Sequence, residues 1–261
     1  MSQKAKHVWS TIGFCAIGIG IVLAAWTLAV EFTELGKLMP GPLEVAEMFA
    51  RYTVEPVGQH TVFVHALVSL RRVAIGYAIS SVVGVACGLA MGYSKMANAI
   101  ISPIFNIFRP IPGVAWIPMA ILWFGIGETA KIFIIFMGGF AHVTVNSMAG
   151  ARRVNPELVG AAELLGASKG QVFRKIVLPS SVPYIFAGLQ VSLSGSWMAV
   201  LAAEMVSSLD GSGWIIVTGM NSGNTTQILV GMISIAIIGL ILASVMRRLE
   251  RKVCSWNERG K

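Results

Sequence analysis

The chain has 261 residues, 55% of them hydrophobic and only 12% charged, against roughly 25% charged in an average soluble domain. That leaves too little polar surface to cover a water-soluble globule, and puts a lipid solvent first. The net charge of +8 raises nucleic acid as a partner, but the placement of the basic residues, taken up below, accounts for it without one.

Lys4 and Lys6 before an apolar stretch imitate a secretory signal. The stretch is long for a signal core and no small-x-small cleavage site follows, so it reads as an uncleaved first span. About 20 helical residues cross a bilayer, and six segments qualify: 11–30, 64–92, 97–125, 130–149, 180–206 and 227–247. The expected fold is all-α, a polytopic membrane protein with about six transmembrane helices. Between the first two spans, Pro40-Gly41-Pro42 precedes Leu43, Val45, Ala46 and Phe49 at near-helical spacing. Either a short amphipathic helix on the membrane surface or an exposed linker fits that pattern.

The third span carries Arg109-Pro110-Ile111-Pro112-Gly113. Two prolines remove backbone donors and crowd the preceding turn, so a break or kink is expected there. Irregular backbone at membrane depth must be satisfied by protein or water rather than lipid, which turns the break towards the interior or a pathway.

Lys and Arg counts in short loops set orientation. With a cytoplasmic N-terminus, the inner segments hold 14 Lys/Arg and four acids, and the outer ones five Lys/Arg and seven acids, Glu204 being counted with its span. Both termini are therefore expected in the cytoplasm, and topology explains the positive charge. Cys15 and Cys87 lie in apolar segments and Cys254 in a basic tail, a distribution without disulfide or metal-ligand spacing.

The 150–179 loop has the local chemistry of two short helices. Asn155 suits an N-cap, Pro156 the first helical position and Glu157 the positive helix end. Gly166 falls where a left-handed C-terminal cap belongs. Ser168 and Gln171 have capping-box spacing for a second helix, with Pro179 expected to close it. Ala161, Ala162, Leu164, Leu165 and Ala167 are its small and apolar positions, open either to a partner's approach or to packing on the chain's own spans.

The run Ala161-Ala162, Gly166 and, after nine intervening residues, Ile176-Val177-Leu178-Pro179 resembles the "EAA" signature of binding-protein-dependent ABC transporter permeases. The segment from Arg109 to Lys131, with Ser69 to Gly76 and Ala202-Ala203-Glu204, resembles the taurine, aliphatic sulfonate and nitrate branch of that family. The resemblance implies the type I ABC importer permease fold in a bacterial cytoplasmic (inner) membrane. It divides the chain into an N-terminal tail (1–10), a transmembrane permease domain (11–247) holding the 150–179 coupling loop, and a C-terminal tail (248–261). It also implies a homodimer, two ATP-binding subunits docked on the cytoplasmic face, and an extracytoplasmic solute-binding protein. The implied coupling residues are Ala161, Ala162, Glu163, Gly166, Ala167, Ile176, Leu178 and Pro179. The family's opening Glu would fall at Gly160, with Glu157 and Glu163 as nearby substitutes. The implied cargo is a small organic anion such as taurine or another sulfonate; nitrate, an aromatic acid or a vitamin precursor are alternatives. An ion-coupled secondary transporter would need acids on several spans, and only Glu204 qualifies.

No phosphate loop is present, because Gly166-Ala-Ser-Lys-Gly-Gln fails the spacing; ATP-Mg would belong to the partner subunit, with no cofactor in this chain. No catalytic or metal-binding constellation stands out among the four His and few acids. Intramembrane polar residues are candidates for a pathway. Arg109 offers a guanidinium to an oxyanion or snorkels to an interface. His142 and Asn146 share a helix face, lining a path or bonding a neighbouring helix. Gln190, Ser194 and Trp197 form one stripe, facing a helix or a cavity. Glu204, at the outer end of its span, has Arg71 and Arg72 as candidate partners in a gate or ion pair, and Asp210 to Trp214 reads as a turn or a partner-facing element.

Overall fold

A computed structural model of the protein describes residues 3–253, with side chains from residue 13 onward except Cys15. Lys4, Lys6, Cys15 and Cys254, and most of the expected tails, therefore fall outside the residues or side chains described. The helices in chain order are α1 (Gln3–Phe32), α2 (Pro42–Val54), α3 (Val62–Tyr93), α4 (Lys95–Phe108), α5 (Ile117–Phe124) and α6 (Glu128–Arg152). They continue with α7 (Pro156–Leu164), α8 (Lys169–Val172), α9 (Leu178–Ser207), α10 (Ser212–Asn221) and α11 (Thr225–Val253). Four helical stretches, Val62–Tyr93, Glu128–Arg152, Lys169–Ser207 and Thr225–Val253, are long and apolar enough to cross a bilayer. Two bent pairs raise the number to six, one turning through 82° after Phe32 and the other through 84° between α4 and α5. The last helix runs on to Val253, six residues past the expected end of its span at 247.

The third span breaks where its prolines stand. Arg109 caps α4, Pro112 opens a 3-10 turn over Gly113–Trp116, and Pro118 sits in the first turn of α5, where a missing N–H costs no bond.

Contacts divide the chain into two units, Met1–Phe63 with Ile215–Ile233, and Val64–Trp214 with Ser234–Lys261. In the first unit the stretch after Pro42 is a helix, not a linker, and its side chains hold the start of α11. Thr226 Oγ1 donates to Glu44 Oε1 at 2.8 Å and Tyr52 OH to Gln227 Oε1 at 3.3 Å.

The second unit is organised on α6 and α9, its principal helix pair. Lipid tails are as apolar as Leu, so close packing rather than water exclusion must join such helices. Glycines permit that approach: a Cβ on Gly138 would lie 2.8 Å from the Gly195 carbonyl oxygen, and one on Gly113 2.8 Å from Gly138 Cα. The α4–α5 break is thereby seated directly on the α6–α9 crossing. Towards the Glu128 end of α6, Ile117 and Ala120 pack with Ala130, Ile134, Ala199 and Ala203. At the Arg152 end, Leu89, Ala151 and Ile185 pack with Val172 and Val177.

Candidate functional site

The projection between α6 and α9 is built from local signals. Asn155 Oδ1 accepts from the Glu157 amide at 2.9 Å, and Gly166 turns with φ +83°. Ser168 and Gln171 form the reciprocal capping box. The second helix does not stop at Pro179. α8 passes through one π-turn, Phe173–Val177, straight into α9, with Pro179 in the first turn of that helix. Proline has no N–H for the carbonyl four residues back, so a widened turn absorbs the missing bond instead of ending the helix.

The residues implied as coupling positions divide by direction. Ala162, Ala167, Ile176 and Leu178 pack onto Leu89, Val172 and Ile185, where they attach the projection to its own spans. Ala161, Glu163, Gly166 and Pro179 are exposed. The largest apolar groups presented outward are Leu164, 91% exposed, and Leu165, 89% exposed. A Cβ added at Gly160 would meet open space, so the position would accept a longer side chain without a clash.

At the opposite end of α6 lies a cluster of charges around Arg72. Its Nη1 donates to Glu204 Oε1 at 2.8 Å, and its Nη2 reaches Asp210 Oδ1 and Glu128 Oε1 at 2.5 Å each. Lys131 Nζ also meets Glu128, at 3.1 Å. The Arg72 and Glu204 side chains are 3% and 1% exposed, so the pair is buried and survives by being fully bonded. Glu204 Oε2 accepts from Ser69 Oγ at 2.9 Å and from the Gly213 amide at 3.0 Å. His65 Nδ1 accepts from the Gly211 amide at 3.0 Å, and its ring stacks on Trp214 with centroids 5.2 Å apart. Partial burial works to raise the Asp210 pKa, but the hydrogen bond and charge of Arg72 outweigh it and hold the carboxyl below its ordinary value.

Of the two arginines named from sequence, Arg72 alone joins this cluster; Arg71 is exposed and has no ion pair among the described residues. Successive helical residues point about 100° apart, so only one can face the bundle. Glu128, Asp210, His65 and Ser69 were missed as partners. Glu128 and Asp210 stand 56 and 138 residues from Arg72, and no local pattern carries such a pairing.

The six candidate pathway residues fall in two clefts. Arg109, His142 and Asn146 line one of about 470 Å³, floored by Gly113, Gly138 and Gly195. Gln190, Ser194 and Trp197 line another of about 370 Å³ against Leu242, Met246 and Arg247 of α11. Gln190 Nε2 donates to Glu250 of that helix, so this stripe faces both a neighbouring helix and a cavity. Ser194 and Gly195 point to different sides of α9, which explains the split. The Asn146 amide bonds its own helix, donating to the His142 carbonyl at 2.9 Å, rather than a neighbour.

Spanning helices, a third span broken at its centre and a helical projection linking the fourth span to the fifth define the type I importer permease fold. The same fold is found in an inward-facing structure of the MetNI methionine ABC transporter, with TM-score 0.62 at 22% identity, covering 71% of this chain and 92% of that one. The chain belongs to the binding-protein-dependent transport system inner membrane component family, whose model matches residues 80–254. It is 31% identical to the taurine transport system permease protein TauC of Escherichia coli (strain K12), over 98% of this chain and 95% of the relative. It is 32% identical to the nitrate import permease protein NrtB of Synechocystis sp., over 91% of this chain and 88% of the relative. The family is a transport subunit of ABC importers and not an enzyme in itself.

Proposed function

We infer that this permease works as a homodimer, driven by two ATP-binding subunits that dock on α7, and imports a small anion delivered by a solute-binding protein. A sulfonate such as taurine is the first reading of the cargo, supported by the similarity to the taurine permease. Nitrate is the second, supported by the similarity to a nitrate permease. Both termini and α7 face the cytoplasm in this reading, supported by the asymmetry of Lys and Arg. ATP-Mg is held by the partner, and the energy arrives as motion.

The observation that carries the reading is the projection itself. Leu164 and Leu165 stand almost fully exposed on the loop that links α6 to α9, and an exposed apolar pair on a polar projection is the signature of a partner surface. Behind them, the Ala162, Ala167 and Ile176 side chains are packed against the buried cluster that holds Leu89 of α3, Ala151 of α6 and Ile185 of α9. A force on α7 therefore passes to the ends of α6 and α9 as to one rigid body. Those two helices line the clefts at mid-span, so their rocking re-aims the cavity between the two faces of the membrane. At the other end, Arg72 ties α3, α6, α9 and the turn before α10 together, which suits a hinge or gate.

The test uses permease reconstituted with its ATP-binding subunit and solute-binding protein. Leu164→Ser with Leu165→Ser should abolish the stimulation of ATPase activity by loaded binding protein, with unchanged insertion and thermal unfolding of the permease. Gly166→Val, strained at φ +83°, should do the same by misplacing α7. Undiminished stimulation in both variants would remove α7 from the coupling role.

A further inference from the structure

We propose that Arg109 is the head-group anchor of a mid-membrane binding site, and that its ligand is an oxyanion with an apolar, preferably aromatic, body and no cationic group. The proposal rests on the permease reading for the direction of travel; it gives the cargo a place, and its chemistry there departs from the taurine and nitrate of the similar permeases.

Arg109 lines two clefts at once. One is the polar cleft with His142 and Asn146. The other, of about 400 Å³, is walled by aromatic rings, among them Phe108, Trp116, Trp123, Phe136 and Phe140. Pockets for small organic molecules span about 300–1,000 Å³ and combine apolar walls with a few polar groups, and both clefts fall in that range. The rings form a continuous set of edge, tilted and stacked contacts, with Trp116 5.8 Å from Phe108 and 6.1 Å from Phe133 and Phe136 5.1 Å from Phe140 between centroids. Trp116 Nε1 is buried without a hydrogen-bond partner, so a donor is left over beside this wall.

Depth makes the arginine informative. His142 stands fourteen residues from Glu128 and ten from Arg152 on α6, about 21 Å and about 15 Å along a helix rising 1.5 Å per residue. The cleft is thus near the middle of the span. Among the described residues, no hydrogen bond or ion pair engages the Arg109 guanidinium, and the side chain is exposed. A cation at that depth needs water or an anion, and a guanidinium fork matches a sulfonate or carboxylate.

The walls then choose among anions. No Asp or Glu lines either cleft, so the ammonium group of a zwitterion such as taurine would find no countercharge. Nitrate would use the guanidinium but leave the aromatic wall unoccupied. An aryl sulfonate or aryl carboxylate satisfies both, its head on Arg109 and its ring among the side chains of α4, α5 and α6.

Binding is measured on the purified permease in phosphatidylcholine nanodiscs by isothermal titration, with 4-toluenesulfonate, benzoate, taurine, nitrate and uncharged 4-toluenesulfonamide as probes. The two aromatic anions should bind saturably, at least tenfold more tightly than taurine, nitrate or the sulfonamide. Arg109→Gln should weaken them at least tenfold, Arg109→Lys less, and Phe136→Ala should weaken the aromatic anions while leaving nitrate unchanged. Monodisperse elution and unchanged thermal unfolding identify the folded variants. Equal or tighter binding of taurine or nitrate would overturn the assigned class, and binding insensitive to Arg109→Gln would overturn the site. Loss of all anion binding when phosphatidylglycerol replaces phosphatidylcholine would instead make Arg109 a lipid head-group site and overturn the proposal. Because no partner subunit is needed, a negative result here leaves the ATPase test of the α7 surface standing, and the two failures are distinct.

Discussion

Replacing Arg72 with Met removes the one cation that meets three carboxylates, and the three losses differ in size. Glu204 is 1% exposed, and stranding a buried charge by deleting its partner costs about 3–5 kcal/mol. Asp210 and Glu128, 31% and 50% exposed, are rehydrated more readily, and each accounts for at most about 1 kcal/mol. The expected loss is therefore about 4 kcal/mol, carried mainly by Glu204. Arg72→Lys should fall in between, because one ammonium cannot span carboxylates from α6, α9 and the turn before α10. Adding Glu204→Leu to Arg72→Met should recover much of the loss, since no carboxylate is then left buried and unpaired. Unfolding in mixed micelles, titrated with dodecyl sulfate and followed by circular dichroism, measures wild type, these three variants and Glu204→Leu alone, five proteins in all. A loss below about 1 kcal/mol for Arg72→Met, or a double variant that costs the sum of the singles, would refute the account of Arg72 as a buried clamp.

Other substitutions probe the same scaffold. Gly211 has φ +102° and lies against the Glu204 carboxylate, so Gly211→Ala should cost more than about 2 kcal/mol, from left-handed strain plus the clash; the same unfolding assay decides it, with wild-type stability counting against the turn's role. Gly138→Val drives a Cβ to 2.8 Å from the Gly195 carbonyl and should cost about 1–3 kcal/mol by overpacking, again read by unfolding in mixed micelles. The depressed pKa of Asp210 means that its ion pair stabilises the fold fully above the ordinary Asp value of about 3.9 and loses that contribution as pH falls through the lower folded value. The stability gap between wild type and Asp210→Asn should therefore be open from about pH 5 upward and close in more acidic solution; a gap independent of pH would show that Asp210 acts by shape alone.

Much of the projection between α6 and α9 was legible from the chain alone. Asn155, Gly166, Ser168 and Gln171 act on backbone groups within three or four residues, so their spacing along the chain is their geometry. The break at Pro110 and Pro112 was equally plain, because proline's effect is intrinsic to its ring. Pro179 was misread for an instructive reason: the residue can close a helix or sit in the first turn of one, and a π-turn before it lets the chain run on as a helix. The two directions of the alanines were also hidden, since Ala161 and Ala162 are alike in composition and differ only in which side of α7 meets Leu89 and Ile185.

What the sequence by itself determined is the lipid solvent, the all-α class, the candidate spans, and the capped projection between α6 and α9. Each depends on composition summed over a segment or on contacts a few residues apart. Only the tertiary structure decided that Arg72 and not Arg71 meets Glu204, that Glu128 and Asp210 complete the cluster, and that Arg109 faces a different cleft from Trp197. These are matters of helix rotation and of approach between distant segments, set by where glycines such as Gly138 and Gly195 let two helices touch.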